Sequence, residues 1–383
     1  MAATKLNVFH WHIVDATSFP FQFKEAPEMA SKGAYSAREV YTEEMIIDFV
    51  EYCRLRGIRV MPEYDMPGHT TAWARSYPDA TMCVGSRAGK SGFAVEPFSG
   101  HLNPYAPATY DVVGKILQAS NRLFPDAYIH MGHDEINPKC WATLPRNGQD
   151  IKQVLKDFHA GLRPLVPKNK RVMLWQDPFL TYQMENEKQP DGGFFQAVAI
   201  WGTGTKAGDQ AAIRQIRAAG KQVLLGDYTA WYLDCGMGAF VTDSPPTRNG
   251  WCTFSSWQNM YYNTVFPADS GTPESASGEQ VAQLTIANDA VLGAEVSLWS
   301  ELIDGANLFT TSFPRTLGFA ERVWSNTNVT TGGDPGTSGD TLDEVYDRID
   351  YARTRLLTMR GINSQALQPT WCRGRTGECR MDF

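Results

Sequence analysis

The chain has 383 residues, of which 43% are hydrophobic and 20% are charged, and this balance predicts a globular protein with a large apolar core. A formal net charge of −7, with no run of Lys and Arg, argues against a nucleic-acid partner or an anionic membrane surface. No stretch approaches the roughly 20 apolar residues of a membrane-spanning helix, so we expect no membrane span.

Apolar segments rich in β-forming residues recur along the chain. In chain order they are KLNVFHWHIVD (5–15), GIRVMPEYDMPGH (57–69), AYIHMGHDE (127–135), RVMLWQD (171–177), QAVAIWG (196–202), KQVLLGDYTAWYLD (221–234) and GAEVSLWSELID (293–304). Helical patterns lie between most of them, for example over 42–57 and 209–220, and an amphipathic helix over 342–361 follows the last. Nearly continuous apolar strands that alternate with helices predict parallel β-structure buried on both faces.

Each of these strands carries polar or aromatic residues at its carboxyl end, where (β/α)8 barrels place their active sites. We therefore predict an α/β fold, a (β/α)8 TIM barrel that lacks its first strand, over residues 1–383. An incomplete barrel exposes strand edges, so we also expect this chain to fold poorly or bind ligand weakly and the natural protein to extend upstream. An open doubly wound sheet is the alternative, but no glycine-rich phosphate-binding loop supports it.

The cysteines do not have the spacing of a metal site. Cys372 and Cys379 bracket a short polar loop, Cys235 and Cys252 flank another loop, and Cys83 and Cys140 each lie in a loop beyond a candidate strand. We interpret them as three disulfides plus a buried thiol at Cys53, which implies an oxidising compartment, either secreted or lysosome-like. The NVT sequon at Asn328 is consistent with that compartment, and reduced core cysteines are the alternative interpretation.

The strand ends are compatible with two chemistries. His10 and His12 form an H-x-H pair, the pattern with which metal-dependent amidohydrolase barrels hold zinc, although the later strands end in Trp and carboxylates instead of His. Glycoside hydrolysis is favoured because sugars present apolar C–H faces and a rim of hydroxyls, which suit aromatic walls and carboxylate acceptors. The residues of this kind near strand ends are Trp175, Trp201, Trp299, Asp234 and Glu301.

Several longer motifs follow one another between Lys5 and Trp324. They are FHWHIVDATSFPFQ, MPEYDMPGHTTAW, YIHMGHDEINPKCW, LWQD, WYLD and LWSELID. In order and spacing this set resembles the catalytic domain of glycoside hydrolase family 20, the β-N-acetylhexosaminidases, and the cysteine pairs resemble those of fungal and animal members. The resemblance implies an exo-acting enzyme without a cofactor that removes terminal, non-reducing GlcNAc or GalNAc with retention of configuration. In this family the substrate's own 2-acetamido oxygen attacks the anomeric carbon and forms an oxazolinium ion.

The resemblance also implies roles for individual residues. Glu135 would be the general acid and later the base, Asp134 would accept the acetamido N–H, and Tyr232 would hydrogen-bond the acetamido oxygen. Gly132 is expected to break the strand so that both carboxyl groups face inward. The remaining matches are Trp175, Trp201 and Trp299 around the acetamido methyl group and the sugar ring, Asp234 and Glu301 at the 4- and 6-hydroxyls, and His69, Asp15 and Asp65 as groups that orient the acid.

The sequence departs from the family pattern at several points. His133 stands where many members have Gly or Ser, and it either lines the pocket edge or is merely tolerated; Ala16 replaces a frequent second acid. The first-strand arginine and the small α/β domain before the barrel are absent. A catalytically silent GlcNAc-binding barrel is therefore the alternative function, although a binder has no need of the Asp134–Glu135 pair. We expect His10, His12 and His130 to be structural, and a homodimer is a further expectation.

Overall fold

The structure, a computed structural model, describes residues 1–85, 92–93, 99–144, 150–189, 191–238, 252–263, 291–324, 342–372 and 375. The strands within these ranges are β1 (Val8–Val14), β2 (Arg59–Met66), β3 (Thr81–Met82), β4 (His101–Leu102), β5 (Tyr128–Gly132), β6 (Arg171–Trp175), β7 (Ala197–Ile200), β8 (Gln222–Leu225) and β9 (Val291–Ala294). The helices are α1 (Glu28–Gly33), α2 (Glu43–Arg54), α3 (Pro107–Leu123), α4 (Pro138–Trp141), α5 (Ile151–Leu162), α6 (Asp177–Leu180), α7 (Lys206–Ala218), α8 (Tyr228–Trp231), α9 (Trp257–Tyr262), α10 (Leu308–Ser312), α11 (Arg315–Trp324) and α12 (Leu342–Arg360).

Seven of these strands form one parallel sheet whose order follows the chain, β1-β2-β5-β6-β7-β8-β9. The prediction of seven strands is confirmed, and six of them lie inside the predicted segments. The seventh begins two residues earlier than predicted and ends at Ala294; beyond it, the Glu295 N–H donates to Leu225 O at 2.7 Å and Ser297 forms an isolated bridge with Tyr232. β3 and β4 form a separate antiparallel pair.

The predicted helices are also found, with boundaries that their end residues explain. In α2, the Thr42 side chain accepts a hydrogen bond from the Met45 N–H at 3.3 Å, as an N-cap residue does. Gly57 follows with a φ of +70°, a conformation that a residue without Cβ adopts at little cost. The segments expected over 209–220 and 342–361 correspond to α7 and α12.

The described chain divides into two compact units. Unit 1 comprises Met1–Ala2, Leu6–Ala199 and Gln215–Val223, and unit 2 comprises Ala3–Lys5, Ile200–Arg214 and Leu224–Phe383. In unit 1 every residue of β5 is buried, as expected for a parallel strand covered on both faces. Large aromatic side chains fill the core around it, namely Phe19, Phe21, Phe23, Trp73, Phe124, Trp141 and Phe158.

Unit 2 has a core of its own, to which α9, α11 and α12 contribute. Its buried members are Trp257, Tyr261, Phe313, Leu317, Val345, Tyr346, Ile349 and Leu356. No helix in the described ranges has both the length and the apolar character that crossing a membrane requires.

Two of the three predicted disulfides are confirmed. Cys83 is bonded to Cys140 in unit 1 and Cys235 to Cys252 in unit 2. Cys53 is a buried free thiol on α2, as predicted. The pair Cys372–Cys379 and the sequon at Asn328 lie outside the described residues or side chains.

Candidate active site

The carboxyl end of β5 turns sharply before the acid pair. Gly132 has a φ of +64°, and His133 and Glu135 also have left-handed backbone conformations, with φ of +75° and +48°. A Cβ at Gly132 would lie 1.6 Å from Asp65 Oδ1, so only glycine fits beneath this carboxylate. The strand breaks at Gly132, as the sequence predicted, and the extended alternation of side chains stops before Asp134.

His69, which follows β2, faces both members of the acid pair. Its Nε2 lies 3.5 Å from Glu135 Oε2 and 3.8 Å from Asp134 Oδ2, while its Nδ1 lies 3.3 Å from Asp15 Oδ1. Burial lowers the pKa of His69, but the carboxylates of Asp65, Asp15 and Asp134 outweigh that effect and raise its pKa well above the usual value. His69 is therefore an imidazolium between carboxylates.

The carboxyl groups around His69 have unequal pKa values. Burial, together with the charges of Glu135 and Asp177, raises the pKa of Asp134 to about 7 even though His69 opposes the shift. Burial and the charge of Asp134 likewise raise the pKa of Asp65 well above its usual range. The pKa of Asp15 is lowered because His69 and His12, which hydrogen-bond to it, outweigh the opposing effect of burial.

Three polar atoms at this cluster are buried and have no hydrogen-bond partner among the described residues. They are His69 Nε2, Asp134 Oδ1 and Glu135 Oε2. An unsatisfied buried polar group costs on the order of 1–3 kcal/mol, and such groups are rare unless a ligand or water completes them. The Glu135 backbone, in contrast, is fixed, because its N–H donates to Asp177 Oδ1 at 3.4 Å.

Glu63 lies beneath this cluster in β2, and its carboxylate is fully buried. His10 Nε2 and His12 Nδ1 each lie 2.9 Å from Glu63 Oε2, and His130 Nδ1 lies 3.1 Å from Oε1. Trp175 donates its indole N–H to Oε1 at 2.9 Å. The three histidines expected to be structural thus share one carboxylate.

Glu63 was not among the residues predicted for the site. The signal in the sequence is the pair Glu63 and Asp65 in an otherwise apolar strand, because residues i and i+2 of a strand face the same side. Asp65 does lie in the cluster, where it accepts the His133 N–H at 3.3 Å. Trp175, predicted to contact the sugar, is only 3% exposed and packs against His10 and His130.

His133 does not line the edge of the site. Its side chain is fully buried, its Nδ1 lies 2.8 Å from Met131 O, and its ring packs among Phe158, His159 and Phe194. Burial lowers its pKa to about 3, so the ring is neutral. The positive φ at this position turns the side chain into the core, which the sequence pattern did not reveal.

These side chains form three groups of three residues that are close enough to share a cation. In each group, one nitrogen or oxygen atom from every residue lies within 4.8 Å of the other two. The groups are His10–Glu63–His130, His12–Glu63–Asp65 and Asp65–His69–Asp134. In the first two, the histidine nitrogens are already in direct contact with Glu63 oxygens at 2.9–3.1 Å. These contacts account for the arrangement by ion pairing, and we assign no metal to it.

Unit 2 carries a second group of predicted site residues. Tyr232 is 4% exposed and packs with the Cys235–Cys252 disulfide, and Trp201 and Trp299 lie against this cluster. The Tyr232 and Trp299 rings are 6.3 Å apart between centroids. The cluster combines aromatic faces with a phenol, a combination suited to sugar C–H faces and to an amide oxygen.

The carboxylates predicted in unit 2 have different environments. Asp234 Oδ1 accepts the Trp299 N–H at 3.1 Å, and burial raises the pKa of Asp234. Glu301 lies on an exposed turn.

Arg315 is a buried residue of unit 2 that the sequence analysis did not single out. Its guanidinium donates to the carbonyl of Leu233, between Tyr232 and Asp234, and to the carbonyls of Thr311 and Ser255. Burial lowers its pKa to about 10. An isolated arginine at the start of a helix carries no sequence signal for such a role.

A family profile described as "Glycosyl hydrolase family 20, catalytic domain" matches residues 1–327. Beta-hexosaminidase 1 of Coccidioides posadasii is 32% identical over 417 residues, which cover all of this chain and 65% of that protein. The chitooligosaccharidolytic beta-N-acetylglucosaminidase of Bombyx mori is 33% identical over 399 residues (99% and 60%), and the human beta-hexosaminidase subunit beta is 32% identical over 383 residues (97% and 59%). The chain thus spans 59–65% of the length of these curated relatives.

Solved structures have the same fold. The Vibrio harveyi GH20 exo beta-N-acetylglucosaminidase in complex with N-acetylglucosamine matches with a TM-score of 0.69 at 20% identity, over 96% of this chain and 55% of that one. The Flavobacterium johnsoniae chitobiase matches with a TM-score of 0.67 at 24% identity, over 94% and 48%. The predicted (β/α)8-type fold is confirmed, with seven parallel strands among the described residues, and the metal-dependent amidohydrolase alternative is set aside. The chain belongs to glycoside hydrolase family 20.

Proposed function

We propose that the protein is an exo-acting β-N-acetylhexosaminidase that releases terminal, non-reducing GlcNAc or GalNAc with retention of configuration. The observation that carries this proposal is the acid pair at the end of β5, where buried atoms of Asp134, Glu135 and His69 lack hydrogen-bond partners among the described residues. A substrate with a glycosidic oxygen and an acetamido N–H would supply the missing partners. Relatives named as beta-hexosaminidases and as chitooligosaccharidolytic enzymes support the proposal and suggest chitin fragments or glycoconjugates as substrates.

In the proposed mechanism, Glu135 donates its proton to the glycosidic oxygen while the substrate's acetamido oxygen attacks the anomeric carbon. The bond to the leaving group breaks, and an oxazolinium ion forms. Glu135 then takes a proton from the water that opens this ion, which restores the acid and retains the configuration. His69, 3.5 Å from Glu135 Oε2, is placed to hold the carboxyl group during both steps.

Asp134 would accept the acetamido N–H and stabilise the positive charge that develops on the oxazoline nitrogen. Its raised pKa, about 7, means that this carboxyl group is only partly ionised at neutral pH in the free protein. The amide N–H and the developing charge favour the carboxylate form, so substrate binding would lower that pKa. Asp134 would then be ionised, and so a stronger acceptor of the acetamido N–H, when positive charge develops in the transition state.

The unit 2 residues receive their proposed roles from the family resemblance and from their own surroundings. Tyr232 would donate its hydroxyl to the acetamido oxygen, and Asp234 and Glu301 would accept the 4- and 6-hydroxyls. Trp201 and Trp299, which pack on the Tyr232 cluster, and Trp175 of unit 1 would contact apolar faces of the substrate. The two disulfides support a secreted or lysosome-like compartment. A homodimer stays a prediction.

The proposal is tested with two aryl β-glycosides that differ only at C2, one acetamido and one hydroxyl. The full chain should hydrolyse only the acetamido substrate, with retained configuration, and a chelator should leave the rate unchanged. Binding of GlcNAc without turnover would instead support the silent-barrel alternative.

The variant Glu135→Gln should lose about 10²–10⁴-fold in kcat on an alkyl glycoside, since it cannot transfer a proton. The loss should be smaller on an aryl glycoside whose leaving group needs little protonation. The control is Glu51→Gln, an exposed acid paired with Arg54 on α2, which should keep the full rate. An equal loss with both leaving groups would contradict the acid role of Glu135.

A further inference from the structure

A continuous chain of charged groups leads from the interior of unit 1 to the acid pair. Glu63 Oε2 lies 2.9 Å from His12 Nδ1, and the opposite nitrogen of the same ring, Nε2, lies 2.9 Å from Asp15 Oδ2. Asp15 continues through its other oxygen to His69 Nδ1 at 3.3 Å, and His69 Nε2 faces Glu135 at 3.5 Å. The sign of the charge alternates at every step from Glu63 to His69.

His12 contacts two carboxylates, those of Glu63 and Asp15. A neutral imidazole has one N–H, so the lone pair of its other nitrogen would face a carboxylate oxygen at 2.9 Å, whereas an imidazolium is attracted to both carboxylates. His10 and His130 also contact Glu63, and a single negative charge cannot hold three cations. Although burial lowers its pKa, Glu63 and Asp15 raise the pKa of His12 well above the usual value, which agrees with a protonated ring.

We propose that His12 and Glu63 are positioning residues for the reaction: a permanently charged His12, held by Glu63, fixes the orientation of Asp15 and His69 and sets the electrostatic potential at the acid pair. This inference rests on the proposed function and deepens it. Glu63 is suited to the buried end of this series of charged groups because its carboxylate is fully buried and contacts both His12 and the indole N–H of Trp175. Asp15 is suited to the middle because each of its two oxygens takes one histidine.

Other charged or titratable groups also face this chain and belong to its electrostatic balance. They are His10 on β1, Asp65 on β2, His130 on β5, Asp134 beside Glu135 and Asp177 at the start of α6. Removing the positive charge of His12 leaves these groups with a net excess of negative charge. The pKa values of Asp134 and of His69 should then rise.

The test compares His12→Gln with His10→Gln in the full chain. The two residues lie two positions apart on β1 and both contact Glu63 Oε2 at 2.9 Å, and the opposite nitrogen of His12 lies 2.9 Å from Asp15. We expect His12→Gln to move the pH–rate profile on the acetamido substrate upward by roughly half a pH unit or more. We also expect it to lower kcat about tenfold or more with little change in KM, because substrate contacts are intact. His10→Gln should leave the position of the profile unchanged.

Equal profile shifts in the two variants, or no shift in His12→Gln, would overturn the proposal. A second measurement needs neither turnover nor a stable variant. In wild-type protein labelled with ¹⁵N-histidine, both His12 ring nitrogens should remain protonated at pH 8, whereas an unperturbed histidine, with a pKa of about 6.5, is neutral. A neutral His12 ring at pH 8 would overturn the proposal by itself. Absence of hydrolysis by the wild type would count against the proposed function and leave the labelling result to decide on His12.

Discussion

At the scale of single residues, the raised pKa of Asp134 lowers the stability of the folded state. Asp134 is half-buried beside Glu135, and its loss of hydration together with the charges of Glu135 and Asp177 raises its pKa to about 7. In an unfolded chain the pKa of an aspartate is about 3.9. An acid whose pKa is raised on folding destabilises the folded state at every pH where its carboxylate must be ionised.

Replacement of Asp134 by Asn should therefore stabilise the protein at alkaline pH. Between about pH 4 and pH 7 the folded state holds a proton that the unfolded state does not, so the unfolding free energy of the wild type falls as pH rises through this window. A shift of about three pKa units corresponds to at most about 4 kcal/mol, which Asp134→Asn should recover at pH 8 and not at pH 4. Urea unfolding at the two pH values measures this difference.

The same variant should be nearly inactive on the acetamido substrate, because a neutral amide cannot stabilise the developing positive charge. Asp48→Asn, on the exposed face of α2, is the matched control and should change neither stability nor rate. A variant that is less stable than the wild type at pH 8 would show that Asp134 is better compensated in the folded state than its neighbours indicate.

At the scale of elements, the end of β5 determines where the acids point. Gly132 combines a φ of +64° with the close approach of Asp65, whereas Gly57 has a φ of +70° and nothing within 4 Å of its Cβ position. The two glycines thus share the backbone conformation and differ in the space for a side chain. Comparing them separates backbone strain from steric conflict.

Gly132→Ala should lower the unfolding free energy by about 3 kcal/mol or more, and Gly57→Ala by only about 1 kcal/mol. Gly132→Ala should also reduce kcat strongly, because a displaced Asp65 no longer holds the His133 N–H and the turn into Asp134 and Glu135. Chemical unfolding and the rate on the acetamido substrate check both effects. Equal destabilisation by the two variants would mean that Asp65 moves aside without consequence.

The elements themselves were largely predictable because they depend on local periodicity. The alternation of apolar strands with helices located six strands within their predicted segments, and Thr42 and Gly57 marked the ends of α2. β9 was placed less well, because the described chain after Ala294 makes single hydrogen bonds, such as that from the Glu295 N–H to Leu225 O at 2.7 Å, and an isolated bridge at Ser297 instead of a regular strand ladder. A bridge of this kind depends on a partner 65 residues away, Tyr232, and leaves no local pattern.

At the scale of the whole molecule, the described interior includes histidines that are neutral because burial lowers their pKa. The pKa values of His101 and His133 are lowered to about 3, and that of His159 lies well below the usual value. An unfolded histidine has a pKa of about 6.5, so between pH 6.5 and pH 3 the unfolded chain binds protons that these groups do not. Their contribution to stability is present above pH 6.5 and is lost as the pH falls.

The variant His159→Phe tests this balance. Neither ring nitrogen of His159 has a hydrogen-bond partner among the described residues, and the ring stacks on Phe194 with centroids 4.4 Å apart. Phenylalanine should therefore be accommodated, and the stability gained over the wild type should grow by about 1.4 kcal/mol for each pH unit below 6. Urea unfolding at pH 7.5, 6 and 5 provides the comparison, and parallel stability curves for the two proteins would contradict the prediction.

The sequence by itself determined the strand and helix order, the two confirmed disulfide pairs and the family motifs, because each depends on residue type and spacing along the chain. Only the tertiary structure showed that Glu63 contacts three histidines. These contacts follow from the sheet register, which sets Glu63 opposite His12 on β1 and His130 on β5. The same holds for the turn of His133 into the core and for the raised pKa of Asp134. Register and burial arise when strands distant in the chain are brought side by side, and no local pattern encodes them.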